Sequence, residues 1–561
     1  MLISLLEAWI NIMKFLKVLI NSLVSGFFFD ILLALLILDL NINLIFDIYF
    51  FGQLTLFLAI TYGLLITMLC ILSFFIIQFF TGKKFNIAFV SPSFLMISFT
   101  LLTIIFLLIF WENYNFFLSF FNPEICHLLK TQAMTLLFLA ILGILAFIGK
   151  HKYKKGIFFF LVYFILFGGA ITYTIFKRTK YPVLTPPEKI ARLETKEIDK
   201  KITIIGLEGL SFDFIIPLIN EEKLPNFSWL MEEGSWGKLE SFSPNEALIL
   251  NSSFNTGKFP FKHRQLSLYK YRILNFKKEI TVVPRFIFFR QLTRTNLLKI
   301  SPNPTSSFSK DMWKIFESNN TSFLKKDWPY DTVVKEPSQK SETLFNSFFQ
   351  DLRFETSEIF INAKTAFLSD IALEEEFFQE KSKIQPQLSY FLLSGLNTVE
   401  TYFYKYSFPD LFGELDQEEL NKYSSLIEKY YEFYDQIIGK YIASKKDDEL
   451  LIIYSPHGIE PLPFWKRIIE WILGNADICA YHDYGPAGVF FFLGKDMVRG
   501  KNTEGMELID IAPTILNYLG LPVGKDMDGV VCSSVFINSF KIENPVLYIS
   551  SYEEIDIKKP E

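Results

Sequence analysis

Cysteine is scarce in this chain, with four residues in 561. That is too few for a disulfide-built scaffold. Cys70 falls in an apolar run and Cys126 in a loop expected outside the cytoplasm. Cys479 and Cys532 remain as the pair open to oxidation, at a separation that sequence does not set. Positive charge is also short: 55 Lys and Arg face 60 Asp and Glu, a net charge of −5, which argues against nucleic acid as a partner. No internal repeat or low-complexity tract stands out, so a solenoid or propeller is not expected. No short cleavable signal peptide is read, because the early apolar segments recur rather than stop.

What the chain has in excess is apolar and aromatic residues. Half of it is hydrophobic, Phe alone numbers 63, and the mean hydropathy is +0.28. The excess lies in the first third. Residues 53–80, 93–110, 131–149 and 157–176 are near or above the length needed to cross a bilayer. Residues 18–38 form a weaker span interrupted by Asp30, either a buried residue between helices or an intramembrane polar site. Residues 2–13 read as an interfacial helix or the start of that span. Five spans are expected, six if residues 1–50 make a helical hairpin.

Loop charges set the orientation. Lys83 and Lys84 lie in one loop, and Lys150, Lys152, Lys154 and Lys155 in the loop two spans later. Both are placed in the cytoplasm. The intervening loop, 111–130, and the loop near 39–51 carry acids and almost no basic residues. The last span then delivers the rest of the chain to the extracytoplasmic side. Lys177, Arg178 and Lys180 oppose this by following that span directly. The expected organisation is a membrane domain over 1–180, a charged, Pro-containing stem over 181–200, and an α/β domain over 201–561.

Four segments of the last part share a pattern. KITIIGLEGLSFD (201–213) is a buried strand with Glu208 at its end, between Gly206 and Gly209. SFSPNEALILNSSFNTGK (241–258) is a turn and a helix closing at Thr256-Gly257. LSYFLLSGLNTVET (388–401) is a strand ending at Gly395 and Asn397. ELLIIYSPHG (449–458) is a strand ending at Pro456-His457-Gly458. In an open α/β sheet, sites form outside the carboxyl ends of strands, and all four segments deliver polar residues there. Helices are expected over 420–443 and 506–519. In the first, Tyr423, Leu426, Tyr430, Phe433, Tyr434, Ile437 and Tyr441 make a helical stripe, read as core packing.

These segments, with GLEGLSFDFIIPLINEEKLPNFSWLMEEGSWGKLESFSP, DMWKIF, YYEFYDQIIGKYI and IDIAPTILNYLGLPVGKDMDG, resemble the type I phosphodiesterase/nucleotide pyrophosphatase family of the alkaline phosphatase and sulfatase superfamily. The resemblance runs from about Ile202 to Phe536. It implies a central, mostly parallel sheet with helices on both faces, two zinc ions and a Thr or Ser nucleophile. The sequence departs from that pattern at most of the reactive positions. The Asp after the first strand is Glu208. The nucleophile, nine residues before Thr256, is Ala247. The Asp and His of the third segment are Asn397 and Thr401. The Asp before His457 is Pro456. His482, in AYHDYGPAGVFFFLG, is intact.

By this resemblance one zinc needs Glu208, Ala247, Pro456 and His457, of which two ligate. The other needs Asn397, Thr401 and His482, of which only His482 is a good ligand. Catalytic zinc takes three protein ligands. The expectation is that zinc chemistry is absent and no cofactor is held, with zinc or manganese in a rearranged site, recruiting Glu246 or Asp483, as the alternative. The plainer account of the survivors is that His457 packs at a strand end and His482 makes surface hydrogen bonds. Glu208 at a buried strand end needs a cation, a basic side chain or a helix N-terminus.

Residues 258–299 differ in charge. Lys270, Arg272, Lys277, Lys278, Arg285 and Arg290 are among eleven basic residues against one acid, Glu279, with aromatics interleaved. They read as a solvated cover over the sheet or as contacts to anionic lipid headgroups or an anionic envelope polymer. Two classes of function stay open. One is a membrane-anchored pseudoenzyme that binds or scaffolds in the cell envelope, with a protein partner or polymer. The other is an active phosphodiesterase or phospho-group transferase with an altered metal site. Spans followed by such a domain also resemble lipoteichoic acid synthases and phosphoethanolamine transferases, which act on lipid headgroups.

Overall fold

The computed structural model describes residues 2–82, 87–153, 156–179, 199–274, 276–285, 287, 289–303, 309–326, 339–352 and 355–553. The chain divides into two units: Met1–Thr185 with Leu266–Asn303, and Pro186–Gln265 with Pro304–Glu561. The stem expected over 181–200 falls mostly outside the described residues, as do Lys83, Lys84, Lys154, Lys155 and Lys180.

The first unit is built on helices that are apolar nearly all round, as a lipid environment requires. Among the described residues, five are long and apolar enough to cross a membrane: Asn11–Leu40, Ile48–Thr81, Pro92–Phe120, Pro123–Lys150 and Phe158–Arg178. Residues 2–13 continue into the first of these as one helix, Leu2–Leu40. The second contains a π-helical turn, Ala59–Gly63, and closes at Gly82, which takes the left-handed conformation (φ 63°) that ends helices. Arg178, 2% exposed, ends the last helix by capping the first. Its guanidinium donates to the carbonyls of Leu38 (3.0 Å), Asn41 (3.2 Å) and Leu44 (2.7 Å) and lies 3.7 Å from Asp39. The Leu38 carbonyl is one of the last-turn carbonyls that a helix end leaves without intrahelical donors, and Asn41 and Leu44 lie in the turn that follows.

The basic segment is divided: residues 258–265 stay with the α/β unit in which all of it was expected, and residues 266–299 belong to this unit. Two buried asparagines on the helices explain why. Asn41 donates to the carbonyl of Val282 (2.7 Å) and accepts from the backbone N–H groups of Thr281 (2.8 Å) and Val282 (2.9 Å). Asn113 accepts from the N–H of Arg285 (2.8 Å) and donates to its carbonyl (3.2 Å). Each side chain thus stands in for a strand partner. The segment adds its own hairpin, Tyr269–Ile273 against Leu298–Pro302. Lys278 and Arg285 are engaged inside the unit, Lys278 3.3 Å from Asp47 and Arg285 3.8 Å over the ring of Phe116. Lys270 is 4.0 Å from Glu279. Arg272 and Lys277 are exposed. The side chain of Arg290 lies outside the described residues.

The second unit is an eight-stranded sheet. Lys201–Leu207 runs at its centre, parallel to Glu449–His457 on one side and Leu388–Leu393 on the other, with Phe323–Lys326 parallel at the edge. Beyond Glu449–His457 lie Ala487–Leu493 and then Ser235–Glu240, each antiparallel to its predecessor. The short strands Lys501–Asn502 and Met506–Glu507 finish that edge.

The central strands are apolar runs buried on both faces, as parallel strands between helical layers must be. The period of two separates the faces. Ile202, Ile204, Tyr390, Ile452, Tyr454 and Phe490 pack with helices Met312–Ser318 and Ile511–Tyr518. Ile205, Leu207, Phe391, Ile453 and Phe491 pack with Glu358–Ile384 and Leu426–Ser444.

Two helix expectations are corrected. The region 420–443 is two helices, Gln417–Tyr423 and Leu426–Ser444. The region 506–519 begins as a strand, with Met506 opposite Leu239 and Glu507 opposite Glu240. Its helix is Ile511–Tyr518, opened by a 3-10 turn in which Asp510 accepts from the N–H of Glu507 (2.9 Å). Pro513 suits this first helical turn, where its missing N–H costs nothing.

Candidate functional site at the strand ends

One edge of the sheet collects the residues of interest. Glu208 follows the central strand, and its N–H extends the ladder to the carbonyl of Leu393 (2.9 Å). His457 is the last residue of its strand. Asn397 and Thr401 lie one turn apart in the helix Gly395–Ser407, which follows Leu388–Leu393. His482 comes just before Ala487–Leu493. That strand is antiparallel, so its beginning shares an edge with the ends of the others.

Ala247 is the first residue of the helix Ala247–Thr256. The loop before it is tied to the His482 loop. Asn245 donates from its side chain to the carbonyl of His482 (2.8 Å) and from its backbone to that of Asp483 (2.8 Å). The helix closes at Gly257 (φ 64°). Pro456 lies past the last register pair of its strand with the central one, Gly206 opposite Tyr454. It therefore removes no donor from that ladder.

His457 is fully buried. Its Nδ1 meets the carbonyl of Gly458 at 3.1 Å, which places the proton on Nδ1 and leaves Nε2 as the acceptor. Nε2 is buried and has no hydrogen-bond partner. The ring stacks on that of His482, with centroids 5.0 Å apart and planes 22° from parallel. Burial, and then the neighbouring His482, hold the His457 imidazole down to about 3. Burial lowers His482 too, against the pull of Asp483. Both rings are neutral near pH 7.

Glu208 is 3% exposed. Burial, and then the charge of Asp370, push its carboxyl up to about 8. The electrostatic neighbour that raises it is a like charge, whereas burial at a strand end predicts a cation, a basic side chain or a helix N-terminus. Asp370 is well provided for, accepting from the hydroxyls of Tyr430 and Tyr434, both at 2.8 Å, and from the N–H of Gly395 (3.1 Å). Burial still raises it to about 7.

Glu400 is fully buried and held well above the carboxylate range by burial. One of its oxygens accepts from Tyr431 (3.4 Å) and the other has no partner. Gly209 (φ 100°) lets the loop after the central strand press on this helix. A Cβ there would come within 2.6 Å of Glu400 Oε2 and 3.2 Å of the Asn397 nitrogen. Sequence reading assigned the tyrosine stripe to packing alone and missed Asp370 and Glu400. Their one signal was an acid within an otherwise apolar helical stripe.

Asn397 Oδ1 is buried without a partner. Thr401 turns its hydroxyl back to the carbonyl of Asn397 (2.8 Å). The Thr401 carbonyl accepts from the N–H of Cys479 (2.9 Å). Cys479 and Cys532 are both free thiols. Among the described residues, no three His, Cys, Asp or Glu side chains gather as a metal site.

Comparison with known proteins places this edge in context. The family model for type I phosphodiesterase/nucleotide pyrophosphatase matches residues 202–502. No curated protein sequence matches the chain. Among solved structures, an inactive form of murine ectonucleotide pyrophosphatase/phosphodiesterase 5 in complex with AMP is similar at 11% identity, covering 58% of this chain and 96% of that one with a TM-score of 0.35. The human ectonucleotide pyrophosphatase/phosphodiesterase 5 is similar at 12% identity, covering 59% of this chain and 97% of that one, again with a TM-score of 0.35.

Proposed function

The chain belongs to the type I phosphodiesterase/nucleotide pyrophosphatase family, and on that premise we propose that it is a membrane-anchored pseudoenzyme whose α/β domain binds or scaffolds in the cell envelope. The observation that carries this reading is Ala247. It heads its helix at the strand-end edge, tied through Asn245 to the His482 loop. A methyl group there supplies neither a nucleophile nor a metal ligand.

The donors that remain do not fit two zinc ions. Ala247 and Pro456 offer no donor atom. Thr401 has turned its hydroxyl to its own helix. The two surviving imidazoles are stacked on each other. Missing one outer partner already weakens zinc binding 10- to 100-fold, and here the ligands themselves are replaced. The test is hydrolysis of a generic phosphodiester by the purified chain with zinc or manganese supplied, expected at background.

A second reading is an active phosphodiesterase or phospho-group transferase acting on lipid headgroups through an altered metal site. It is favoured by the buried, partnerless Nε2 of His457. Clear turnover abolished by Glu208→Ala would select it.

The five apolar helices support a membrane location, and the loop charges support an extracytoplasmic domain. Arg178, the middle residue of the opposing basic trio, is spent on the first helix and Asp39 and is not a free flanking charge. In the same reading the exposed Arg272 and Lys277 contact anionic lipid headgroups.

A further inference from the structure

Between His457 and His482 the chain leaves the sheet and returns. A short antiparallel pairing, Glu460 opposite Tyr481 and Pro461 opposite Ala480, closes the base of this excursion. Its body is the helix Phe464–Ile472, FWKRIIEWI. Phe464, Trp465, Ile468, Trp471 and Ile472 recur at the spacing of one helical face.

In a water-soluble domain that face packs inward. Here it is turned out. Phe464 is 71% exposed, Trp471 and Ile472 are 68% exposed, and Trp465, Ile468 and Leu473 are exposed beside them. The cations point the other way. Lys466 Nζ lies 4.2 Å over the ring of Tyr481, and the Arg467 guanidinium 5.0 Å over that of Phe412. The helix is amphipathic with its sides reversed: Lys466 and Arg467 lie over rings of the domain, while Phe464, Trp465, Ile468, Trp471 and Ile472 stand exposed among the described residues. An exposed apolar patch of this kind marks an interaction surface.

We propose that this helix docks on the lipid bilayer, lying in the boundary between headgroups and acyl chains. Three observations favour lipid over a protein partner. The same chain carries five helices fit to cross a membrane, so a bilayer surface is permanently at hand. The 22 residues between Arg178 and Lys201 reach at most roughly 80 Å, which holds the domain at high effective concentration beside that surface. The exposed residues themselves are of interfacial type, two tryptophans and a phenylalanine among aliphatic side chains. Docking brings the strand ends that carry His457 and His482 toward the headgroup layer. The inference stands whether or not the site is catalytic.

The test uses the full chain reconstituted in vesicles of phosphatidylcholine and phosphatidylglycerol whose acyl chains carry bromine near the carboxyl end, a contact quencher of tryptophan. The double variant Trp465→Phe, Trp471→Phe keeps an aromatic ring at both exposed positions, and circular dichroism checks that it folds. Subtracting its emission from that of the unaltered chain isolates the two tryptophans from the other six. Brominated lipid should cut this difference signal at least twofold relative to unbrominated vesicles. A difference signal untouched by bromine overturns the proposal. If it is also blue-shifted, with the chain cross-linking to itself through this helix, the face is a protein interface between copies.

Discussion

The imidazoles of His457 and His482 pack ring on ring, 5.0 Å between centroids, although a strand pairing and a helix separate them along the chain. The family resemblance assigns these two residues to different zinc ions. Here each ring is part of the other's apolar surroundings, and burial keeps both uncharged.

Metal content follows directly. The purified chain should carry far less than one zinc per molecule by elemental analysis, and His457→Ala should leave that value unchanged. Two tightly held metals, lost on His457→Ala or His482→Ala, would show that the remaining donors rearrange around a cation.

Restoring the nucleophile alone should not restore chemistry. Ala247→Thr supplies a hydroxyl, yet Asn397, Thr401 and Pro456 still leave the metals unheld. Phosphoryl transfer then lacks both a positioned partner and charge stabilisation, each worth several kcal/mol. Turnover of a generic phosphodiester is expected only when Ala247→Thr is combined with Asn397→Asp, Thr401→His and Pro456→Asp. Activity in the single variant would mean that metals are already bound.

Glu208 should make stability depend on pH. Its carboxyl keeps its proton in the folded state up to about pH 8, whereas the unfolded chain releases it near the ordinary carboxylate value of about 4.3. The contribution is therefore complete in acid and lost as pH rises toward 8, by about 1.4 kcal/mol per pH unit. Glu208→Gln removes the titration. The melting temperature of the variant, measured against the unaltered chain in detergent, should gain steadily between pH 5 and 8 and level off above. A gap that does not change with pH would place the folded carboxylate in its normal range.

Much of this molecule is legible in local pattern, and what is not depends on distant partners. The apolar runs announce five helices long and apolar enough to cross a membrane among the described residues, because that length and composition are properties of each helix separately. Strands such as Lys201–Leu207 and Glu449–His457 are legible because burial on both faces leaves an unbroken apolar string. That residues 266–299 of the basic segment group with the helices is not legible locally, because their anchors, Asn41 and Asn113, lie about 170 to 240 residues away. Nothing local marks an asparagine as a dock for a passing backbone. Met506–Glu507 looked helical because two residues have no readable period, and its strand character comes from Leu239 and Glu240. Asp370 was hidden for the same reason, since its role depends on Tyr430 and Tyr434 from another helix.

Topology is the remaining expectation, and the buried arginine sharpens it. Orientation follows basic residues that are free to interact at the membrane flank. Lys150 and Lys152 stand at the end of the fourth span. Arg178 is instead enclosed, 3.7 Å from Asp39 and donating to one carbonyl of the first helix and two of the turn after it. Its charge is met inside the unit, so it counts little toward holding the last span's end in the cytoplasm. A reporter enzyme active only outside the cytoplasm should therefore be active when fused after Glu561 and silent when inserted within residues 150–155. The reverse pattern would mean that the basic trio 177–180 dominates insertion before Arg178 finds its partners, and would move the α/β domain inside.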